Sequence, residues 1–308
     1  MNRGPIFVGG LDRSGKTLMR LSLSAHPNLA MTRRTYMWTR VYNRYGNLRQ
    51  RDNFERCLAA ILRERQIGVL RPDPQRIRRE FWQGEPTYAR LFALFHAHYA
   101  EQVGKPRWGD QLGSIERYTD PIFAAYPDAR MIHMIRDPRD RHAAAVSNAT
   151  RRHGKVGLDT ARWLASAVLA QRNQQRYPDR YTVVRYEEFV ARREQTLRAI
   201  CAFIDEAYTP TMLTLEGAMR FGDEDDEGDD GPEQEAAASA NRPGGPAIPE
   251  REIAFIQAYA GHEMAAFGYQ PRPLRLPPGE RLLLYLLDWP VNLAHMVAWR
   301  AREVPRLV

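Results

Sequence analysis

Pro5-Ile-Phe-Val-Gly-Gly-Leu-Asp-Arg-Ser-Gly-Lys-Thr-Leu18 is the stretch that decides the fold. Pro5 to Gly10 is apolar and β-rich and reads as a short buried strand ending in glycine. Leu11 to Ser14 is its loop. From Gly15 to Ala25, Leu18, Leu21 and Ala25, with Met19 and Leu23 beside them, recur at helical spacing until the chain meets Pro27. Gly10 to Thr17 satisfies G-x-x-x-x-G-K-[ST], in the strand-before, helix-after setting that gives the pattern its meaning. Backbone N–H groups of such a loop converge on an anion, and the helix N-terminus adds its positive dipole end. A phosphate or sulfate is therefore expected against Asp12, Arg13, Ser14, Gly15, Lys16, Thr17 and Leu18. The bland alternative is a glycine turn that happens to carry Lys-Thr.

Two further strand-to-helix units lie downstream. Met131-Ile-His-Met-Ile135 predicts a strand followed by a helix from Arg139 through Asn148. Tyr181-Thr-Val-Val-Arg-Tyr186 predicts a third strand, followed by a helix with Phe189, Leu197, Ile200, Phe203 and Ile204 as its apolar stripe. Between the first two units, residues 36–70 and 88–103 read as helical. Strands alternating with helices imply an α/β protein, here a P-loop-type three-layer fold with a central, mainly parallel sheet flanked by helices. Residues 1–275 are expected to form this domain and 276–308 a C-terminal helical extension. Within the domain, 223–240 is acid-rich and poor in apolar residues, which predicts a mobile loop. Leu282 to Trp299 is nearly apolar, but Asp288, Pro290, Asn292 and His295 interrupt it, so a spanning helix is not expected. Packing onto its own domain, a peripheral membrane contact and a homodimer contact remain as its roles.

Composition narrows the partners. The net charge is +8, yet Asp223 to Glu235 holds nine acids and no base; without those nine negative charges the remainder carries +17. Such a surface suits a polyanionic ligand. The arginines are scattered rather than grouped in a tail or interleaved with aromatics, so nucleic acid is not expected. Only Lys16, Lys105 and Lys155 are lysines among 45 basic residues, so a lysine kept inside a glycine loop points to a need for a compact ammonium. Cys57 and Cys201 stand alone, with no disulfide framework or zinc spacing, and no leader-like segment opens the chain. A cytoplasmic location, soluble or membrane-peripheral, is the expectation.

The second strand runs out into Ile135-Arg136-Asp137-Pro138-Arg139-Asp140, with arginine first. A P-loop phosphotransferase using ATP needs a strand-end acid for Mg²⁺. Asp137 keeps that reading open. The same residues, taken together, resemble the PAPS-dependent sulfotransferases (PAPS is 3′-phosphoadenosine 5′-phosphosulfate), particularly bacterial members and those related to tyrosylprotein sulfotransferases. The resemblance runs in order over about the first 270 residues. It implies that Asp12-Arg13-Ser14-Gly15-Lys16-Thr17 grips the 5′-phosphosulfate, with Arg13 on the phosphosulfate bridge and the Thr17 hydroxyl on phosphate. It implies that Arg136 pairs with the 3′-phosphate, that Tyr186 lies near the adenine, and that Arg242-Pro-Gly-Gly245 closes on the 3′-phosphate. Glu250 through Tyr269 resembles the family's terminal helix. PAPS as co-substrate, PAP as product and no metal follow from the same resemblance.

Several positions depart from the family pattern. Arg34 stands where relatives carry a glutamate proposed as the base, and Gly109-Asp110-Gln111 replaces a G-[ED]-K element. Ala144 occupies the place of a 3′-phosphate serine, which leaves Ser147, about one turn on, as the substitute. Lys16 then supplies the ammonium relatives place elsewhere, and Arg13, Lys16 and Asp110 are the candidate catalytic residues. Asp12 is a second candidate base, and a structural carboxylate paired to arginine is the alternative for Asp110. His26 is expected to close the first helix, and His133 to be structural. Tyr36, Met37, Trp38, Tyr42 and Tyr45 are read either as core or as the lining of an acceptor pocket for a small molecule, glycan, lipid or aromatic alcohol. A non-catalytic nucleotide-binding protein is the third class left open.

Overall fold

The computed structural model describes residues 3–146, 155–219 and 248–303. Five strands, β1 (Ile6–Gly10), β2 (Leu29–Arg33), β3 (Arg107–Gln111), β4 (Arg130–Ile135) and β5 (Tyr181–Arg185), form one sheet in the order β2-β3-β1-β4-β5. Every pairing is parallel, with Ile6 of β1 opposite Gly109 on one side and Arg130 on the other. The three strands legible in the sequence are β1, β4 and β5. β2 and β3 escape a propensity reading because Leu-Ala-Met-Thr-Arg and Arg-Trp-Gly-Asp-Gln hold few β-branched residues. They are strands because each lies against a parallel neighbour.

Alternation along the strands divides the core. Phe7, Ala30, Met131 and Tyr181 face one apolar layer with α2 (Arg51–Arg63) and α3 (Tyr88–Gln102). Ile6, Val8, Leu29, Met31, Ile132, Met134 and Val184 face the other, against α1 (Lys16–Ser24). Side chains with a period of two on a sheet buried on both faces give the three layers expected. Between β3 and β4 lie a 3₁₀ turn (Ile115–Tyr118) and α4 (Thr119–Ala125). After β4 come α5 (Pro138–Val146) and α6 (Lys155–Arg176); after β5 come α7 (Tyr186–Ala191) and α8 (Arg193–Phe203). A third apolar cluster joins α6 to α9 (Glu250–Ala266) through Trp163, Ala167, Phe255 and Ile256. The last helix, α10 (Pro278–Glu303), contains a π-turn at Leu284–Asp288 and packs along α6.

The single helical reading of 36–70 is corrected. Met37–Val41 is one π-helical turn, and the chain is irregular to Gln50 before α2 begins. Asn43 and Gly46 adopt φ of +60° and +72°, which no right-handed helix accommodates. The segment 223–240, Ser147 and Arg242 lie outside the described residues.

Lys105, to which the sequence assigns no role, fastens the far end of α1. Its half-buried side chain donates through Nζ to the carbonyls of Ser24, His26 (3.1 Å) and Leu29 (3.1 Å). His26 sits in the same turn, its Nδ1 accepting from Asn28 N and its Nε2 against the Ala207 carbonyl.

The start of α1 depends on Gly10, whose φ is +111° and where an added Cβ would lie 2.1 Å from the Met134 carbonyl oxygen. Gly10→Ala should therefore destabilise the protein by about 2–4 kcal/mol, from positive-φ strain plus displacement of β4. Urea unfolding followed by far-UV circular dichroism checks this.

Candidate functional site

β1 is the central strand, and the chain leaves its C-terminal end toward α1 while β3 and β4 lead away on opposite sides. In parallel sheets such a divergence opens a crevice beyond the strand ends. The loop Leu11–Gly15 lies in it. Arg13 and Gly15 take positive φ, +65° and +87°, and the Ser14 backbone N–H returns to the Leu11 carbonyl. No side chain caps α1, so its first-turn N–H groups are left to a ligand. The Thr17 Oγ1 is buried and has no hydrogen-bond partner among the described residues.

Three elements converge on this loop. From the end of β4, Arg136 donates through Nη1 to the Arg13 carbonyl (3.1 Å) and lies with its guanidinium carbon 4.5 Å from the centre of the Tyr186 ring. Its buried Nε has no partner among the described residues. From the start of α7, Tyr186 packs so tightly on Gly15 that an added Cβ would meet its ring at 2.3 Å. From α5, Arg141 donates through Nε to the Asp12 carbonyl (3.1 Å). The Arg136 junction is itself held: Trp163 Nε1 donates to its carbonyl (2.8 Å), and the Asp137 N–H donates to Glu187 (2.8 Å). Glu187 also accepts from the Tyr269 hydroxyl at the end of α9 (3.0 Å).

Lys16 is buried, with Nζ 3.1 Å from Asp12 Oδ1. Its ammonium overlies the chain just beyond β3, since a Cβ built on Gly113 would fall 3.8 Å from Nζ. The Asp137 carboxylate is fully engaged by Arg139, at 2.9 Å to its backbone N–H and Nε and 2.6 Å to Nη2. An acid so used offers little to Mg²⁺. The site thus brings together cations, an unpaired hydroxyl and helix-end amides in one concavity.

The sequence profile described as "Sulfotransferase family" matches residues 5–210. The chain belongs to the sulfotransferase family. Protein-tyrosine sulfotransferase of Drosophila melanogaster is 24% identical over 216 residues, covering 68% of this chain and 39% of that protein. Protein-tyrosine sulfotransferase 2 of Gallus gallus is 26% identical over 227 residues, covering 68% of this chain and 53% of that protein. The chain therefore spans about half, or less, of the length of these relatives. The sulfotransferase domain of the Synechococcus PCC 7002 olefin synthase superposes with a TM-score of 0.55 over 89% of this chain and 95% of that domain, at 18% identity. At that identity the likeness is one of fold.

In this sulfotransferase-family chain the carboxylate expected as general base is sealed away. Asp110 is fully buried; Oδ1 accepts from the Thr32 hydroxyl (2.8 Å), Oδ2 from the Thr35 hydroxyl (2.6 Å), and His96 Nε2 lies 4.0 Å off. Burial lowers the pKa of His96, with Asp110 acting in the opposite sense. A base needs an oxygen open to the acceptor, and both of these are committed to fastening β3 to the end of β2. Asp12, paired with Lys16 through Oδ1, has a side chain 48% exposed.

Sequence reasoning missed Glu116. Oε2 of this buried acid accepts from the Gly10 N–H (3.2 Å) and Oε1 from the Ser166 hydroxyl (3.0 Å). Ser166 meets His133 Nε2 (3.0 Å), and His133 Nδ1 meets the Tyr181 hydroxyl (2.5 Å). The chain of bonds fixes His133 as a structural, buried group whose pKa burial lowers. Glu116 lies 106 residues from Gly10, and no local pattern signals the pairing.

A cavity of about 910 Å³ lies beside the same 3₁₀ turn, with Trp38, Tyr42, Tyr88, Ala93, Pro121 and Tyr126 in its wall. Tyr118, two residues beyond Glu116, has ring centres 6.1 Å from Tyr42 and 6.5 Å from Trp38. Of the five residues read as core or acceptor lining, Trp38 and Tyr42 line the cavity, Met37 is core, and Tyr36 and Tyr45 pack half-buried against the core.

Behind the loop, Arg141 reaches Asp159 (3.4 Å), and His142 bridges Asp159 (2.7 Å) and Glu252 (3.3 Å). Burial opposes charge on His142, but the two carboxylates outweigh it and hold the imidazole above its ordinary value. A raised folded-state pKa contributes stability below the unfolded value of about 6.5 that is lost as pH rises through the folded value. The melting-temperature deficit of His142→Gln relative to the parent should therefore be larger at pH 6 than at pH 9, as measured by scanning calorimetry.

Proposed function

We propose that this chain transfers the sulfuryl group of PAPS to a hydroxyl or amine of an acceptor, releasing PAP. The observation that carries the reading is Arg136, held across the loop by the Arg13 carbonyl and the Tyr186 ring with its Nε unspent. A fork of donors held in this way suits the 3′-phosphate. Family membership and the unpaired Thr17 hydroxyl support the same assignment. When bound, PAPS supplies an activated sulfuryl group that passes in line to the acceptor as the bond to the 5′-phosphate breaks.

The loop amides and Thr17 hold the 5′-phosphate end. Arg13 and Lys16 face the charge that develops on the leaving phosphate and on the sulfuryl oxygens, where preorganised donors have their largest effect. Lys16 replaces an ammonium that relatives carry at the position of Gln111, whose Oε1 is buried and unpaired among the described residues. Asp110 is assigned a positional role, and the acceptor proton goes to Asp12. The cavity walled by Trp38 and Tyr42 would take the body of a small-molecule or lipid acceptor, its aromatic lining favouring an apolar or aromatic alcohol. A cytoplasmic location is part of this reading, and both cysteines are free and buried.

Titration calorimetry tests the donor. PAP should bind without Mg²⁺ and much more tightly than ADP, and Arg136→Ala should cost about 2 kcal/mol, roughly thirtyfold, and erase that preference. Equal binding of ADP or ATP, dependent on Mg²⁺, would make the protein a phosphotransferase; PAP binding without turnover of any acceptor would leave a nucleotide-binding protein.

The exchange of ammonium positions has its own test. Lys16→Thr should lower kcat by about 100-fold in PAPS turnover, and Lys16→Thr combined with Gln111→Lys should recover a large part of the loss.

A further inference from the structure

Among the described residues, seven of the ten most exposed large apolar side chains lie on α10: Leu282, Leu283, Tyr285, Leu286, Leu287, Leu293 and Val297. Leu286 is 70% exposed and Leu282 and Val297 are each 60% exposed, far beyond what scattered surface residues need. The helix is long and apolar enough to cross a membrane by length and composition. Its other face, however, is tied down by polar contacts. Asn292, buried, accepts from the Gly157 N–H (3.2 Å); Asp288 pairs with Arg251 (2.9 Å); Trp289 Nε1 donates to the Tyr259 hydroxyl (2.6 Å); and Glu303 pairs with Arg117. A spanning helix would have to surrender all four.

Charge marks what covers the exposed face. Arg272, Arg275 and Arg281 are exposed at its N-terminal end, and Arg300 and Arg302 at its C-terminal end. Arg300 continues the row of Leu293 and Val297 at helical spacing. An apolar stripe bracketed by arginines, with a tyrosine and tryptophan stacked at 4.9 Å beside it, has the pattern of a helix lying in a bilayer interface, with its cations on anionic headgroups. A second copy of the chain would bring like-charged ends together whether it packed parallel or antiparallel, and Glu280, the exposed acid along this stripe among the described residues, already pairs with Arg251 (3.8 Å).

We propose that α10 docks this protein, still folded, on the surface of a lipid bilayer bearing anionic headgroups. The proposal is independent of the donor reading. The Glu303–Arg117 pair joins the end of this helix to the turn that carries Glu116 and Tyr118.

Sedimentation with sucrose-loaded vesicles tests it, using the full chain and no nucleotide. Binding to phosphatidylcholine vesicles containing 30% phosphatidylglycerol is expected, weakened by salt, and removed by sodium carbonate at alkaline pH. Leu286→Glu combined with Val297→Glu, both at exposed positions, should reduce it at least tenfold while leaving the circular dichroism spectrum and PAP affinity unchanged; Arg300→Glu with Arg302→Glu should reduce it on anionic vesicles. No binding to anionic vesicles, binding that survives the double glutamate variant, or resistance to carbonate extraction overturns the proposal. So does a stable dimer in analytical ultracentrifugation that the glutamate variant dissociates, which would assign the face to a second copy. Loss of PAP binding with vesicle binding intact would sink the donor reading alone.

Discussion

The structure depends on keeping the backbone N–H groups at the start of α1 clear of any side-chain cap. That demand excludes a Cβ at Gly10, where the Met134 carbonyl stands, and at Gly15, where the Tyr186 ring stands. It also demands supports that leave the donors of the loop open. Glu116 takes the Gly10 N–H beneath the loop, Arg136 takes the Arg13 carbonyl and Arg141 the Asp12 carbonyl. The three contacts grip the loop at its root and through its carbonyls. The amides at the helix start remain for an anion.

The same logic explains the layers behind the site. The order β2-β3-β1-β4-β5 puts the loop-bearing strand in the middle, where it is buried on both faces and braced on both edges. Several polar groups within that core are joined in linked sets, as in the chain from Glu116 through Ser166 and His133 to Tyr181. Asp110 belongs to such a set, with Thr32 and Thr35. Buried polar groups left half-satisfied are costly, so a fully engaged carboxylate is a fastening and not a reagent. Thr17 Oγ1 and Arg136 Nε are two of the buried polar atoms left without a partner among the described residues, and both belong to the loop site.

The lysines sharpen this view. In a chain that otherwise uses arginine for cationic work, Lys105 fits a compact ammonium among three carbonyls at the end of α1, and Lys16 fits another between the loop and the end of β3. A planar guanidinium would not enter either space on the same terms. The scarcity that drew attention to Lys16 in the sequence thus applied equally to Lys105, which does structural work.

The sequence by itself determined the fold class and the glycine loop with its helix, while the roles of Arg136 and Tyr186 entered as what the family resemblance implies. The fold class and the loop rest on local patterns of hydrophobic period and glycine, the loop's within about a dozen residues. Only the tertiary structure decided that Leu29–Arg33 and Arg107–Gln111 are strands, because their pairing partners and not their propensities make them so. It alone decided that Asp110 is buried under two threonines, that Glu116 reaches Gly10 across 106 residues, and that one face of α10 stays bare while the other is bonded down. Those outcomes rest on which distant groups share a buried space. Desolvation and hydrogen bonding act on that neighbourhood, and a local sequence pattern does not carry it.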